Sequence, residues 1–159
     1  MSVNNLAITK AHEEFVAKIV KTSIVWCLEN EEGVATTGST LFENEENEPV
    51  DVLCFWSEKA KAQACANGDW KDYAPVEIPL AEFIENWCVG MSNDGIMAGT
   101  DFDSDLEGFE ADTLELILEI AEEVNTQNKT IELANNKTLD ELVSEVNSIL
   151  NLESDEDEE

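Results

Sequence analysis

The chain contains no arginine, and its eight lysines face 37 acidic residues, for a formal net charge of −29. Binding a polyanionic backbone means displacing its counterions with Lys and Arg, and no cluster of either exists here. Direct nucleic-acid binding is therefore not expected. The same shortage argues against anionic membrane surfaces. The missing guanidinium also removes the usual bidentate grip on phosphate or carboxylate. Basic proteins, cations and neutral surfaces remain as partners.

Chemical motifs are equally scarce. The one histidine, His12, sits beside Glu13 and Glu14 with no Cys or aromatic neighbour in sequence. A general base needs a positioned nucleophile, so His12 reads as a surface helix residue. Cys27, Cys54, Cys65 and Cys88 form no C-x-x-C pair and lie among apolar residues, as reduced core thiols do. Zinc needs closely spaced Cys and His, and none are present. The seven glycines match neither G-x-G-x-x-G nor a Walker loop. No catalytic residue, metal site or cofactor is expected, and the chain reads as a non-enzyme.

Long apolar runs are missing too, so no membrane span is expected. The first residues, MSVNNLAITKAHEEF, lack the basic start and apolar run of a signal peptide. A cytoplasmic location is the expectation, and the Asn128-Lys-Thr and Asn136-Lys-Thr sequons then carry no meaning.

What is present is a core. Hydrophobic residues make up 43% of 159, with four Trp and six Phe. A chain of this size buries about 70% of its unfolded surface, which suits one domain. The periodicity predicts a helix over Thr9–Thr22 with Phe15, Val16, Ile19 and Val20 on one face. Strands follow at Ser23–Leu28, Val34–Ser39 and Val50–Trp56, the first two forming a hairpin through Gly33. Ser57 is placed to cap a helix over Glu58–Ala66, ended by Asn67-Gly68.

A short strand at Val76–Ile78 leads through Pro79 into a helix. Its stripe of Leu80, Phe83, Ile84, Trp87, Cys88 and Met91 follows helical spacing. A turn at Ser92–Gly95 and a strand over Ile96–Phe102 come next. Asp112, with Glu115 three residues on, opens a helix to about Val124. The fold class is α+β, a small mixed or antiparallel sheet of about five strands packed with helices.

The expected organisation is one domain over 1–126, a helical extension over 127–151 and a disordered acidic tail over 152–159. The extension starts with a capping box at Thr138 and Glu141. Its stripe of Leu139, Leu142, Val143, Val146, Ile149 and Leu150 must be buried, on the body in the first instance.

Several of these pieces, taken in order, resemble a known bacterial family. Val25-Trp-Cys-Leu28 with Gly33 is similar to its first hairpin, and Cys54-Phe-Trp-Ser-Glu58 to its strand-to-helix step. Trp70-Lys-Asp-Tyr73-Ala-Pro75 through Glu82-Phe83 resembles its middle signature. Asp94-Gly-Ile96 through Leu106-Glu-Gly108 resembles its closing strand and turn. The family is catalogued as "domain of unknown function 2750", and the resemblance covers residues from about 15 to 110. It implies a small α/β domain and no transferable activity, and it leaves out the last helix and the tail.

One stretch looks like metal chemistry at first. Thr100-Asp-Phe-Asp-Ser-Asp-Leu-Glu-Gly-Phe-Glu-Ala-Asp112 begins like an EF-hand ladder, with Asp101, Asp103 and Asp105 at alternate positions. Position 6 of such a loop must be glycine for its sharp turn, and here it is Leu106. Gly108 comes two residues late, so the stretch reads as a turn. In an extended chain the three aspartates share one face. Together with Glu107 they are candidates for an acidic contact face.

Trp56, Trp70 and Tyr73 fall at element ends or in a loop. Their first reading is packing, and their second is partner anchoring. The expected function is a protein-binding module with a regulatory, adaptor or immunity-like role, with a basic protein as its expected partner. The alternatives are a DNA mimic that occupies a basic nucleic-acid-binding protein, and an enzyme without a recognised motif. The sequence leaves the oligomeric state open.

Overall fold

The computed structural model describes residues 2–43, 45–103, 108–131, 133 and 138–157. Its strands are β1 (Ile24–Asn30), β2 (Gly33–Val34), β3 (Thr36–Glu43), β4 (Pro49–Trp56), β5 (Ala74–Pro79), β6 (Met97–Thr100) and β7 (Phe109–Ala111). The order across the sheet is β5-β1-β4-β6-β7, with β2 and β3 wedged between the splayed ends of β1 and β4. The expected α+β class holds, with seven strands in place of about five. The difference has two sources. The run over 34–39 reads as one strand, but the pairing changes partner at Ala35, whose amide reaches Leu28 O while its carbonyl receives Cys54 N. Three-residue β7 lies in a stretch that reads as turn.

Among the described residues β4 and β6 are the parallel pair, Leu53 opposite Ala98 and Phe55 opposite Thr100. The other pairs are antiparallel. A parallel neighbour requires a long crossover, and α2 (Lys59–Cys65), β5 and the helical run after it supply one. Strand β4 shows why the sheet needs cover on both faces. Val52, Cys54 and Trp56 enter one apolar cluster, and Phe55 enters the other, with Leu53 packed against it, the two-residue alternation of a strand. Helix α2 and the 3-10 turn Gly68–Trp70 close the first face.

The larger face carries α1 (Ser2–Thr22), α5 (Thr113–Thr126) and one helical run of three parts. The run is α3 (Leu80–Glu82), a π-helical segment Phe83–Cys88 and α4 (Val89–Asp94). Phe15, Ile19, Phe55, Phe83, Ile117 and Ile120 fill the space between these helices and the sheet. The run ends at Gly95, whose φ of 71° is the left-handed cap that glycine takes without strain. Asp112 caps α5 as expected, its carboxylate accepting from the amides of Leu114 and Glu115.

The last helix, α6 (Leu139–Asp157), packs on α5 and buries Leu142 and Val146 in the main core. Thr138 Oγ1 accepts from the Glu141 amide at 3.1 Å, which is one half of the expected capping box, and donates to the Glu141 carboxylate at 3.3 Å in place of the backbone half. The helix continues to Asp157, through most of the segment read as a disordered tail. No Gly or Pro interrupts it there, and Glu costs a helix little. No described helix is long and apolar enough to cross a membrane.

Candidate functional site

The acidic stretch that suggests a ligand ladder holds the sheet to α2 instead. Asp101 has a side chain only 3% exposed and a φ of 48°, which Asp tolerates better than most residues. Its carboxylate accepts from the Ser57 amide at 2.8 Å, from the Ser57 hydroxyl at 2.9 Å and from Lys61 at 3.2 Å. Ser57 is therefore not the side-chain cap of α2: Glu58 stands at the N-cap without a side-chain bond. The Lys61 ammonium is lowered by partial burial, but Asp101 and then Glu58 outweigh this and hold it above its ordinary value.

The next residues are held as firmly. Trp56 Nε1 donates to the Phe102 carbonyl at 2.9 Å. The Cys65 thiol lies 3.3 Å from the carbonyls of both Phe102 and Asp103. The Phe102 ring fits because two glycines leave it room, since a Cβ on Gly99 would come within 2.7 Å of it, and one on Gly108 closer still.

Of the proposed contact residues, Asp101 thus has a buried carboxylate and Asp103 is exposed, while Asp105 and Glu107 lie outside the described residues. Trp56 is wholly buried and Trp70 is 7% exposed. They meet edge-on, with centroids 6.3 Å apart, and Tyr73 lies 6.4 Å beyond Trp70. Only half-buried Tyr73 keeps part of its ring at the surface. Element ends are where chains leave a sheet, but α2 folds back over this end and covers both tryptophans.

His12 corrects the surface reading. It is 2% exposed, with its ring stacked on Phe109 at 4.0 Å. Nδ1 lies 2.8 Å from Thr100 Oγ1, and Nε2 lies 3.0 Å from Glu119. The order hydroxyl, imidazole, carboxylate is that of a hydrolase triad. Thr100, however, is itself buried, and a nucleophile must meet its substrate. These three residues satisfy one another and dock α1 to β6 and α5. The sequence carries no signal of this, because Thr100 and Glu119 are far from His12 along the chain.

The four thiols are buried. Burial first, then the Glu29 carboxylate, pushes Cys27 up to about 12. Burial also raises Cys54 and Cys88. Cys65 is raised by burial, with the Trp56 indole acting in the opposite direction and Asp103 and Asp101 adding to the rise. Nucleophilic thiols need the opposite shift.

Among the described residues, two neighbouring depressions join several elements. A depression of about 240 Å³ is lined by Leu53, Trp87, Gly90, Met91 and Asp94. Ile96 also lines a second depression of about 310 Å³, bordered by Glu43, Ser92, Asp112 and Leu114. Trp87 is half-buried, its ring edge-on to Phe55 at 5.7 Å. The first depression is mainly apolar, and the second brings two carboxylates together.

A family model described as "Protein of unknown function (DUF2750)" matches residues 12–120. The chain belongs to the DUF2750 family. The DUF2750 span holds the whole His12–Thr100–Glu119 network, the Asp101 staple and both depressions, whereas α6 lies beyond it. No curated protein matches the chain. A solved structure, Anabaena Tic22 (protein transport), is similar over 76% of this chain and 56% of its own, at 11% identity and a TM-score of 0.37. The DUF2750 chain spans little more than half the length of that structure.

Proposed function

We propose that the chain is a non-enzymatic module that binds a basic protein through its acidic surface. One observation carries this reading. His12 and the thiols face inward, while most of the described acids face out. His12, all four cysteines and Trp56 are buried and Asp101 is tied to Ser57 and Lys61. Glu13, Glu31, Glu45, Asp72, Glu82 and Glu122 are among the exposed carboxylates. Two lysines that could offset them are bound within the fold, Lys61 to Asp101 and Lys129 to the carbonyls ending α1.

A surface field of one sign steers an oppositely charged partner and raises its association rate. The test is capture from the native lysate on immobilised chain at physiological salt. The reading expects one dominant basic protein whose association slows as salt rises. Capture that needs low salt and shows no dominant protein would sink it. A captured nucleic-acid-binding protein that duplex DNA displaces would favour the DNA-mimic reading.

A further inference from the structure

Gly90 stands inside α4, where glycine is worse than any residue but proline. Its backbone does not ask for glycine, since the positive-φ glycines are Gly33, Gly68 and Gly95. Packing does not ask for it either: a Cβ at Gly90 would meet nothing within 4 Å. What Gly90 borders is the apolar depression beside Trp87, and a Cβ there would stand in open space. The missing side chain keeps that space open.

The helix geometry points to the same place. Asn86 and Trp87, both lining this depression, belong to the π-helical segment Phe83–Cys88. Such segments are rare and recur at functional sites, because they re-aim side chains at a cost in helix regularity.

Charge narrows the ligand. Asp94 borders the apolar lobe, and Glu43 and Asp112 border the polar one, with no lysine lining either. The N-terminus of α5 opens on the polar lobe, but the Asp112 carboxylate already occupies the Leu114 and Glu115 amides. Those two amides are thus taken, and a cation meets a carboxylate there.

We infer that this two-lobed groove seats an extended segment of a partner protein in which a lysine or arginine adjoins a large apolar residue. The apolar side chain lies over Leu53 between Trp87 and Met91, as buried aromatics do at binding hot spots. The cation lies past Ile96, beside Glu43 and Asp112. This rests on the reading of the chain as a binder of a basic protein, and it adds where that partner is gripped.

The test titrates the full chain with two fluorescein-labelled hexapeptides at physiological salt, one alternating leucine and lysine, the other serine and lysine. The groove predicts that the leucine–lysine peptide binds at least about tenfold more tightly than the other. Gly90→Leu should abolish that preference, and Glu43→Gln should weaken the peptide about threefold. In the unsubstituted chain, the peptide should shift the Ile96 methyl resonances, a readout that needs no variant to fold.

Equal binding of both peptides, undisturbed by Gly90→Leu and silent at Ile96, would overturn the groove and leave the acidic-surface reading standing. Binding of neither peptide would overturn both. Ile96 shifts caused by octylamine but by neither peptide would overturn the peptide assignment.

Discussion

The Asp101 carboxylate holds both the amide and the hydroxyl of Ser57, at 2.8 and 2.9 Å, across 44 positions of sequence. A buried carboxylate that accepts three donors is a tertiary fastener, because removing it strands every donor at once. It ties the end of β6 to the start of α2, and so sets where the Trp56–Trp70 cluster closes. The stretch that resembles half a calcium loop is in this way used to build the fold.

Asp101→Ala should cost about 2–4 kcal/mol in a urea unfolding titration, since the Ser57 donors and Lys61 lose their partner and alanine resists the positive φ. Asp101→Asn keeps an acceptor and tolerates that φ, so it should lose only about 1 kcal/mol. Equal losses in the two variants would show that the hydrogen bonds do not matter.

His12 and Thr100 should be coupled. Each single replacement, His12→Leu or Thr100→Val, leaves a buried polar atom of the other without its partner, at about 1–3 kcal/mol. The double variant strands neither of the two. A double-mutant cycle should therefore return about 1 kcal/mol or more of coupling. Strict additivity would mean that the 2.8 Å contact contributes nothing to stability.

Alkaline pH should loosen the fold through its thiols. Burial raises Cys27 from 9.0 to about 12 in the folded state, while the unfolded chain keeps the ordinary value. Between those values the unfolded state has lost a proton that the folded state retains, so stability falls as pH rises. The contribution is full below 9.0 and is lost toward 12. Cys27→Ala should flatten the pH dependence of the unfolding free energy between pH 8 and 10.5 by about 2 kcal/mol. A slope identical to that of the unsubstituted chain would refute the assignment.

What was legible from sequence follows the range of the interactions involved. The stripe from Leu80 to Met91, the Asp112 cap and the Thr138–Glu141 box depend on residues three or four apart, and they appear where the sequence puts them. The burial of His12 depends on Thr100 and Glu119, which only the folded sheet brings near. The same is true of Ser57, whose local signal as a cap gave way to a carboxylate from β6's end. The π-helical turn has no sequence signature, since its residues keep the spacing of an ordinary amphipathic helix. The candidate aromatics sit at element ends as read, yet the packing of α2 determines their exposure.

The docking of α6 should be measurable residue by residue. Leu142 is buried against α5 and Ile149 is 44% exposed. Leu142→Ala should cost about 2–5 kcal/mol, the range for truncating a buried leucine. Ile149→Ala should stay within about 0.5 kcal/mol, as surface changes do. Similar losses at both positions would mean that the whole apolar stripe is covered in solution, and a second copy or a partner would then have to cover it.

Gly90 provides the sharpest separation of stability from function. With no positive φ and an empty neighbourhood for a Cβ, Gly90→Ala should stabilise the chain by about 0.5–1 kcal/mol through helix propensity and a less flexible unfolded state. A stabilising change that selection has not taken is expected where a larger side chain would spoil a binding surface. Thermal unfolding of Gly90→Ala gives the sign directly. A fall in midpoint would show that the glycine serves the fold after all, and the groove beside Trp87 would lose its main support.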